Sequence, residues 1–217
     1  MTSQMPQIIE LDVCDSGLTD YRQALQLQHQ LRQKRQQEKV PNTVLIVEHP
    51  SVITLGARHN ANKLLVARST LTQRQVDVVD IRRGGGTTAH NPGQIVFYPI
   101  MNLRGLGLGI SEYVSELEQI GIELLEELAV YSGRRKGYPG LWVAGRKIAS
   151  IGVRVSKFIT YHGMAINIHN DLSIFNYIIP CGLDGVEMTS VLKETGEYHS
   201  MNQVKERLSQ LLIRHFS

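Results

Sequence analysis

The succession of short extended runs constrains this chain more than anything else in it. Thr43 to Val47, Val52 to Leu55 and Gln94 to Ile100 are apolar, rich in β-branched residues and of strand length. Ile8 to Val13 and Gly163 to Ile168 add two more, and Asp77 to Arg82 alternates weakly. Trp142 to Ala144 and Lys147 to Val155 flank Gly145-Arg146 and predict a hairpin. Helical spacing is confined to Leu18 to about Lys39, a segment that Ser111 is placed to cap, carrying Val114, Leu117, Leu124, Leu125 and Leu128, and Met201 to His215. Asp171 is placed to cap a short helix before Pro180, and Ser200 with Gln203 forms a capping-box pattern. Strands that come in pairs with few helices between them predict an α+β fold with a mixed, largely antiparallel sheet flanked by helices.

No repeat, low-complexity tract or Pro/Ser-rich linker divides the chain, so residues 1–217 are expected to form a single domain. With 42% hydrophobic and 20% charged residues, it can bury a core and is not expected to be disordered. A net charge of +3 is too mild to point to nucleic acid. No run approaches the roughly 18 apolar residues of a membrane span, so neither nucleic acid nor membrane is an expected partner. Cys14 and Cys181 are too few for a disulfide framework, and Met1 to Gln7 lacks the pattern of a secretory signal. Free thiols in the cytoplasm are the expectation.

Three segments carry unusual chemistry. Arg82-Arg83-Gly84-Gly85-Gly86-Thr87-Thr88-Ala89-His90-Asn91-Pro92-Gly93-Gln94 lies between two strands. Its glycines let backbone approach a ligand, while its hydroxyls and His90 add hydrogen-bonding groups. It matches neither phosphate-binding glycine motif, and taken alone it also reads as a plain hairpin loop. Gly145 to Gly152 sets Lys147 inside an apolar strand, where lost hydration would lower its pKa and make it a better base, unless it faces solvent. Pro180-Cys181-Gly182 puts a thiol on a sharp turn whose backbone amides are candidates to stabilise an oxyanion. A lone cysteine is more often an inert apolar residue. His162, just before a strand, either lines a cleft or caps the strand, and no CxxC, HExxH or carboxylate cluster argues for a metal.

Together, and in this order, these segments resemble the lipoyl(octanoyl) transferases, a family related to the lipoate– and biotin–protein ligases. The family's RGGxxTxHGPGQ is matched from Arg83 to Gln94, with Asn91 where glycine is usual. Its GxKIAxxG is matched from Gly145 to Gly152, its xTxHGxAxNxxxDLxxF from Ile159 to Phe175, and its PCG by Pro180-Cys181-Gly182. The ATP-using lipoate ligases lack that cysteine, so Cys181 favours the transferase over the ligase.

The resemblance implies a fold like the catalytic domain of biotin and lipoate ligases. It also implies transfer of an octanoyl group from octanoyl-acyl carrier protein to a lysine amine. The expected acceptors are lipoyl domains of 2-oxoacid dehydrogenase complexes and the glycine cleavage H protein. Cys181 would be the nucleophile, held as an acyl thioester, and Lys147 would activate it and shuttle protons, with no cofactor required. The implied acyl-binding residues are Arg83, Gly84, Gly85, Gly86, Thr87, Thr88, Ala89, His90, Ser150, Ile151, Gly152, Gly163, Met164 and Ala165. An ATP-dependent lipoate ligase and an inactive carrier-binding module are the competing readings. Arg134-Arg135-Lys136, the densest basic run near these motifs, is expected to steer an acidic carrier.

Overall fold

The computed structural model describes residues 10–217, with the backbone alone at Cys181. Ten strands form two sheets: β1 (Leu11–Leu18), β2 (Asn42–Glu48), β3 (Val52–Leu55), β4 (Asp77–Asp80), β5 (Thr88–His90), β6 (Gln94–Ile100), β7 (Gly133–Arg135), β8 (Tyr138–Val143), β9 (Arg146–Ser156) and β10 (Ile159–Asn167). The helices are α1 (Tyr21–Gln36), α2 (Arg68–Gln73), α3 (Leu103–Leu106), α4 (Ile110–Glu127), α5 (Val191–Thr195) and α6 (Met201–Phe216). The large sheet has the order β1-β2-β6-β10-β9-β8-β7, and only the β1–β2 pair is parallel. The small sheet, β4-β3-β5, pairs β3 with β4 in parallel and with β5 antiparallel.

The large sheet is covered on both faces, which is why β2 reads as one continuous apolar run. Val44 and Ile46 point into the main core, where α4 and α6 bring Leu117, Ile120, Leu124, Leu208 and Leu212. Leu45 and Val47 point the other way and pack with Ala24 of α1. Sheet alternation thus assigns neighbouring residues of one run to two separate cores.

Several boundaries differ from the sequence reading, each for a local reason. The first strand runs from Leu11 to Leu18, while the start of the expected Ile8–Val13 strand lies outside the described residues. Leu18 therefore ends a strand rather than starting a helix, and Asp20 caps α1 by accepting from the amides of Arg22 and Gln23. Ser111 does not cap α4. Glu112 reaches back to the amide of Gly109 at 2.6 Å, so the helix starts two residues earlier. The expected caps at Asp171 and Ser200 are present, accepting from the amides of Ser173 and Gln203. The hairpin between β8 and β9 turns on Ala144 and Gly145, both at positive φ, the geometry a two-residue loop needs to match strand twist. The segment read as one long glycine loop contains a short strand, β5, and the last long strand starts at Ile159 instead of Gly163.

Candidate active site

Lys147 is the second residue of β9 and only 1% exposed. Its ammonium donates to the carbonyl of Pro139 at 2.8 Å and lies 5.1 Å from the centre of the Trp142 ring, both on the neighbouring strand β8. Its backbone is clamped from the other side. The amide of Lys147 donates to Glu187, and the amide of Thr189 donates to Lys147, so the segment after the Pro180–Gly182 turn lies alongside the lysine.

Gly140 makes the ammonium's position possible. A Cβ there would sit 2.3 Å from the carbonyl oxygen of Ala149 and 3.0 Å from Cε of Lys147, and its φ of +109° suits glycine alone. The amide of Gly140 donates to Glu118 of α4 at 2.9 Å, and Glu118 also takes the guanidinium of Arg134 at 3.2 Å. The carbonyl that receives Lys147 therefore stands on a helix carboxylate. Arg134 is spent in this network, bonded to Ser115 and Gln119 as well. Arg135 lies over the rings of Tyr138 and Trp142. Of the basic run expected to steer a carrier, Lys136 alone has no such contact among the described residues.

The turn that bears Cys181 is one 3₁₀ turn, Pro180–Gly182. The amides of Gly182 and Leu183 donate within that turn, to Ile179 and Pro180. The expectation that these amides face an oxyanion is therefore corrected: they are committed to holding the turn. Leu183, two residues past the cysteine, lines a cavity of about 350 Å³ together with Lys147, Arg58, Gly84, Gly85 and Gly152. The second motif and the residue that follows the third thus border one space.

The glycine loop meets this space through a segment that sequence reasoning overlooked. The amides of Ala57 and Arg58 donate to Arg83 and Gly85, and the amide of Ile179 donates to Lys63. Gly86 and Gly182 both press on Ala61, where a Cβ would come within 2.5 Å of its carbonyl oxygen and 2.8 Å of its methyl, respectively. Only Gly56, at the end of β3, hinted at this junction in the sequence. A Cβ there would lie 2.3 Å from the carbonyl oxygen of Gly85.

Next to the lysine cavity lies a narrow, mostly apolar slot that shares Ile151 and Gly152 with it. Of the expected acyl-binding residues, Arg83, Thr88, His90, Ser150, Ile151, Gly152, Gly163, Met164 and Ala165 line this slot. Gly84 and Gly85 line the lysine cavity instead. Gly86, Thr87 and Ala89 line neither. Thr87 accepts from the amide of Lys63, and Ala89, on the opposite face of β5 from Thr88 and His90, packs with the core around Ile53. The sequence reading did not include Tyr21, Val96 and Tyr98, which complete the lining, and His162 lines the cleft.

The polar groups around the slot are neutral or held. The guanidinium of Arg83 donates to both the carbonyl and the hydroxyl of Thr54. Burial lowers His162 to about 3 and His49 to about 4, and pushes His90 well below the usual histidine range. Neutral His49 donates from Nδ1 to the carbonyl of Thr19 at 2.7 Å, so its Nε2 accepts from the Tyr98 hydroxyl at 2.8 Å. Gln94 donates to Asn167 and Ala89, leaving its carbonyl to accept from Nδ1 of His90 at 2.7 Å. Asn91, in place of the family's glycine, donates to the carbonyl of Asp171 and takes the amide of Asn170, joining the loop to the turn after β10.

Comparison with known proteins supplies the context for this geometry. The family model described as the lipoyl protein ligase A/B catalytic domain matches residues 20–213. An octanoyltransferase of Syntrophobacter fumaroxidans is 43% identical over 201 residues, 92% of this chain and 88% of that protein. An Arabidopsis thaliana octanoyltransferase is 38% identical over 209 residues, 95% and 89% of the two chains. Among solved structures, a bipartite lipoate protein ligase from Thermoplasma acidophilum superposes with a TM-score of 0.70 at 12% identity, covering 94% of this chain and 82% of that one. Biotin protein ligase from Aquifex aeolicus gives 0.54 at 13% identity, covering 96% and 70%. At such identities the structural likeness speaks for the fold, and it bears out the expected architecture.

Proposed function

The chain belongs to the lipoyl protein ligase A/B catalytic domain family, with octanoyltransferases as close relatives over most of its length, and from that membership we propose how its site works. It is an acyltransferase of protein lipoylation, moving an octanoyl group from an acyl donor to a lipoyl domain. The donor is octanoyl-acyl carrier protein, and the acceptors are lipoyl domains of 2-oxoacid dehydrogenase complexes and the glycine cleavage H protein, in the cytoplasm.

Cys181 attacks the donor's thioester carbonyl and becomes acylated, while the carrier's thiol leaves. A free cysteine has a pKa of about 8.5 and attacks as the thiolate, so it needs a proton acceptor. Lys147, entering the step as the free amine, takes the thiol proton, and the ammonium so formed returns it to the departing carrier sulfur. The acceptor lysine, ordinarily an ammonium, must lose a proton before it attacks the acyl-cysteine, and Lys147 is the base for that step too. The amide forms, the Cys181 sulfur leaves, and thioester energy drives the exchange without ATP.

The observation that carries this reading is the adjacency of two spaces. The cavity lined by the buried Lys147 is walled also by Leu183, the residue that follows the Cys181 turn, and shares Ile151 and Gly152 with an apolar slot. A chain of methylenes offers only apolar surface for recognition, at roughly 0.8 kcal/mol per buried CH₂, and the slot supplies its counterpart.

Intact-protein mass spectrometry after mixing with octanoyl-carrier protein, without ATP, tests the proposal. Wild type gains an octanoyl mass and loses it when apo lipoyl domain is added, and Cys181→Ser gains none. Transfer that appears only with ATP and leaves no acyl-enzyme would instead identify a ligase.

A further inference from the structure

Ile151 and Gly152 stand on β9, and across β10 from them, toward β6 and α1, the lining of the slot includes rings. Tyr21, the first residue of α1, and Tyr98 of β6 line it, and His49 stands behind both, with ring centres 5.1 and 5.9 Å away. Tyr21 also stacks on His90 at 5.7 Å. Resting on the assignment of this slot to the acyl chain, we propose that Tyr21 and Tyr98, braced by His49, form an end wall that sets the longest acyl group the enzyme transfers.

Stiffness is what makes these rings a stop. His49 is bonded on both ring nitrogens, to the Thr19 carbonyl and the Tyr98 hydroxyl. Thr19 is itself tied to β2 by its amide, which donates to Glu48, and Asp20 then fixes the first turn of α1 that carries Tyr21. Tyr21 also packs with Val52 and Val79 of the small sheet and with Ile81 just past β4. A longer chain would have to swing a buried ring aside. Moving Tyr98 would strip His49 Nε2 of its partner inside the protein, a larger penalty than crowding a flexible aliphatic wall.

The test is transfer of hexanoyl, octanoyl, decanoyl and dodecanoyl groups from carrier protein to apo lipoyl domain, read by acceptor mass. Tyr21→Ala opens space for extra methylenes and is expected to raise the decanoyl-to-octanoyl rate ratio roughly tenfold or more. Tyr21→Leu keeps an apolar side chain there and gives a smaller shift in the same direction, which serves if the alanine variant unfolds. Ala165→Val, on the slot floor, narrows the channel and shifts preference toward hexanoyl. Folded Tyr21 variants with the wild-type length profile would overturn the end wall while leaving the transferase reading intact. A wild type that transfers no acyl group of any length would overturn both.

Discussion

Lys147 hands its ammonium to the carbonyl of Pro139 at 2.8 Å, so the group expected to move protons is held by the strand beside its own. That carbonyl precedes Gly140, whose amide is anchored on Glu118. The position of Lys147 is thus set in part from α4, through the Gly140 amide.

Replacing Gly140 disturbs this arrangement at its narrowest point. Gly140→Ala drives a Cβ into the Ala149 carbonyl and forces an unfavourable φ, which costs on the order of 1–3 kcal/mol. Denaturant unfolding is expected to show that loss, and octanoyl transfer to fall more steeply than stability because Cε of Lys147 is displaced as well. A variant as active as wild type would show that the lysine tolerates relocation.

Glu118 is expected to act through the Gly140 amide more than through its pairing with Arg134. Glu118→Gln keeps one acceptor for the Gly140 amide but discards the charge, whereas Glu118→Ala leaves that buried amide without its partner, at about 1–3 kcal/mol. A double-mutant cycle with Arg134→Gln should give a small coupling, since Arg134 is 41% exposed and solvent screens the pair. Lys147-dependent turnover should drop in Glu118→Ala and recover largely in Glu118→Gln. Equal losses in both would assign the effect to charge instead of backbone support.

Lys147→Met is expected to slow acyl transfer by roughly 10²–10⁴-fold, the usual range for loss of a general acid–base. The readout that separates chemistry from packing is alkylation of the Cys181 thiol against pH in a Cys14→Ser background. The variant should lose reactivity near neutrality and recover it in alkali. An unchanged alkylation profile would remove Lys147 from thiol activation.

The buried histidines predict acid sensitivity of the fold. Burial holds His49 at about 4, below its unfolded value of about 6.5. Above that unfolded value the group contributes no pH dependence. As pH falls from about 6.5 to 4 the unfolded chain takes up a proton that the folded protein refuses, and stability declines by up to about 1.4 kcal/mol per pH unit for a fully refused proton. His162 and His90 add to the same window in the same direction. Urea unfolding at pH 7, 5.5 and 4.5 should show His49→Gln with a shallower decline than wild type, and parallel declines would exclude His49 as a contributor.

Much of this was written in local sequence. Thr43 to Val47 is a strand because its β-branched run is buried on both faces, and Asp171 and Ser200 announce their helices with side chains that reach only a few residues ahead. Lys147 and the slot residues from Ser150 to Gly152 stood out because motif order carried them. Tyr21, Tyr98, Glu118 and Ala61 did not stand out, since each matters only for what the fold brings against it. Glu118 looks like any polar residue on an amphipathic helix until β8 arrives with an amide. The alternation of β5 was hidden for a similar reason: Thr88 and His90 face the slot and Ala89 faces away only once pairing with β3 fixes the pleat.

The meeting of Gly86 and Gly182 on Ala61 has a consequence for how such an enzyme changes over generations. A contact shared by the glycine loop and the Cys181 turn is a common bearing, and wear on either side is felt by both. Swapping the acyl loop for one that grips a different chain would shift the seat of the turn it was never meant to touch. If the proposed end wall holds, new specificity is easier to reach at Tyr98, which rests on His49, than in the glycine loop that seats the Cys181 turn.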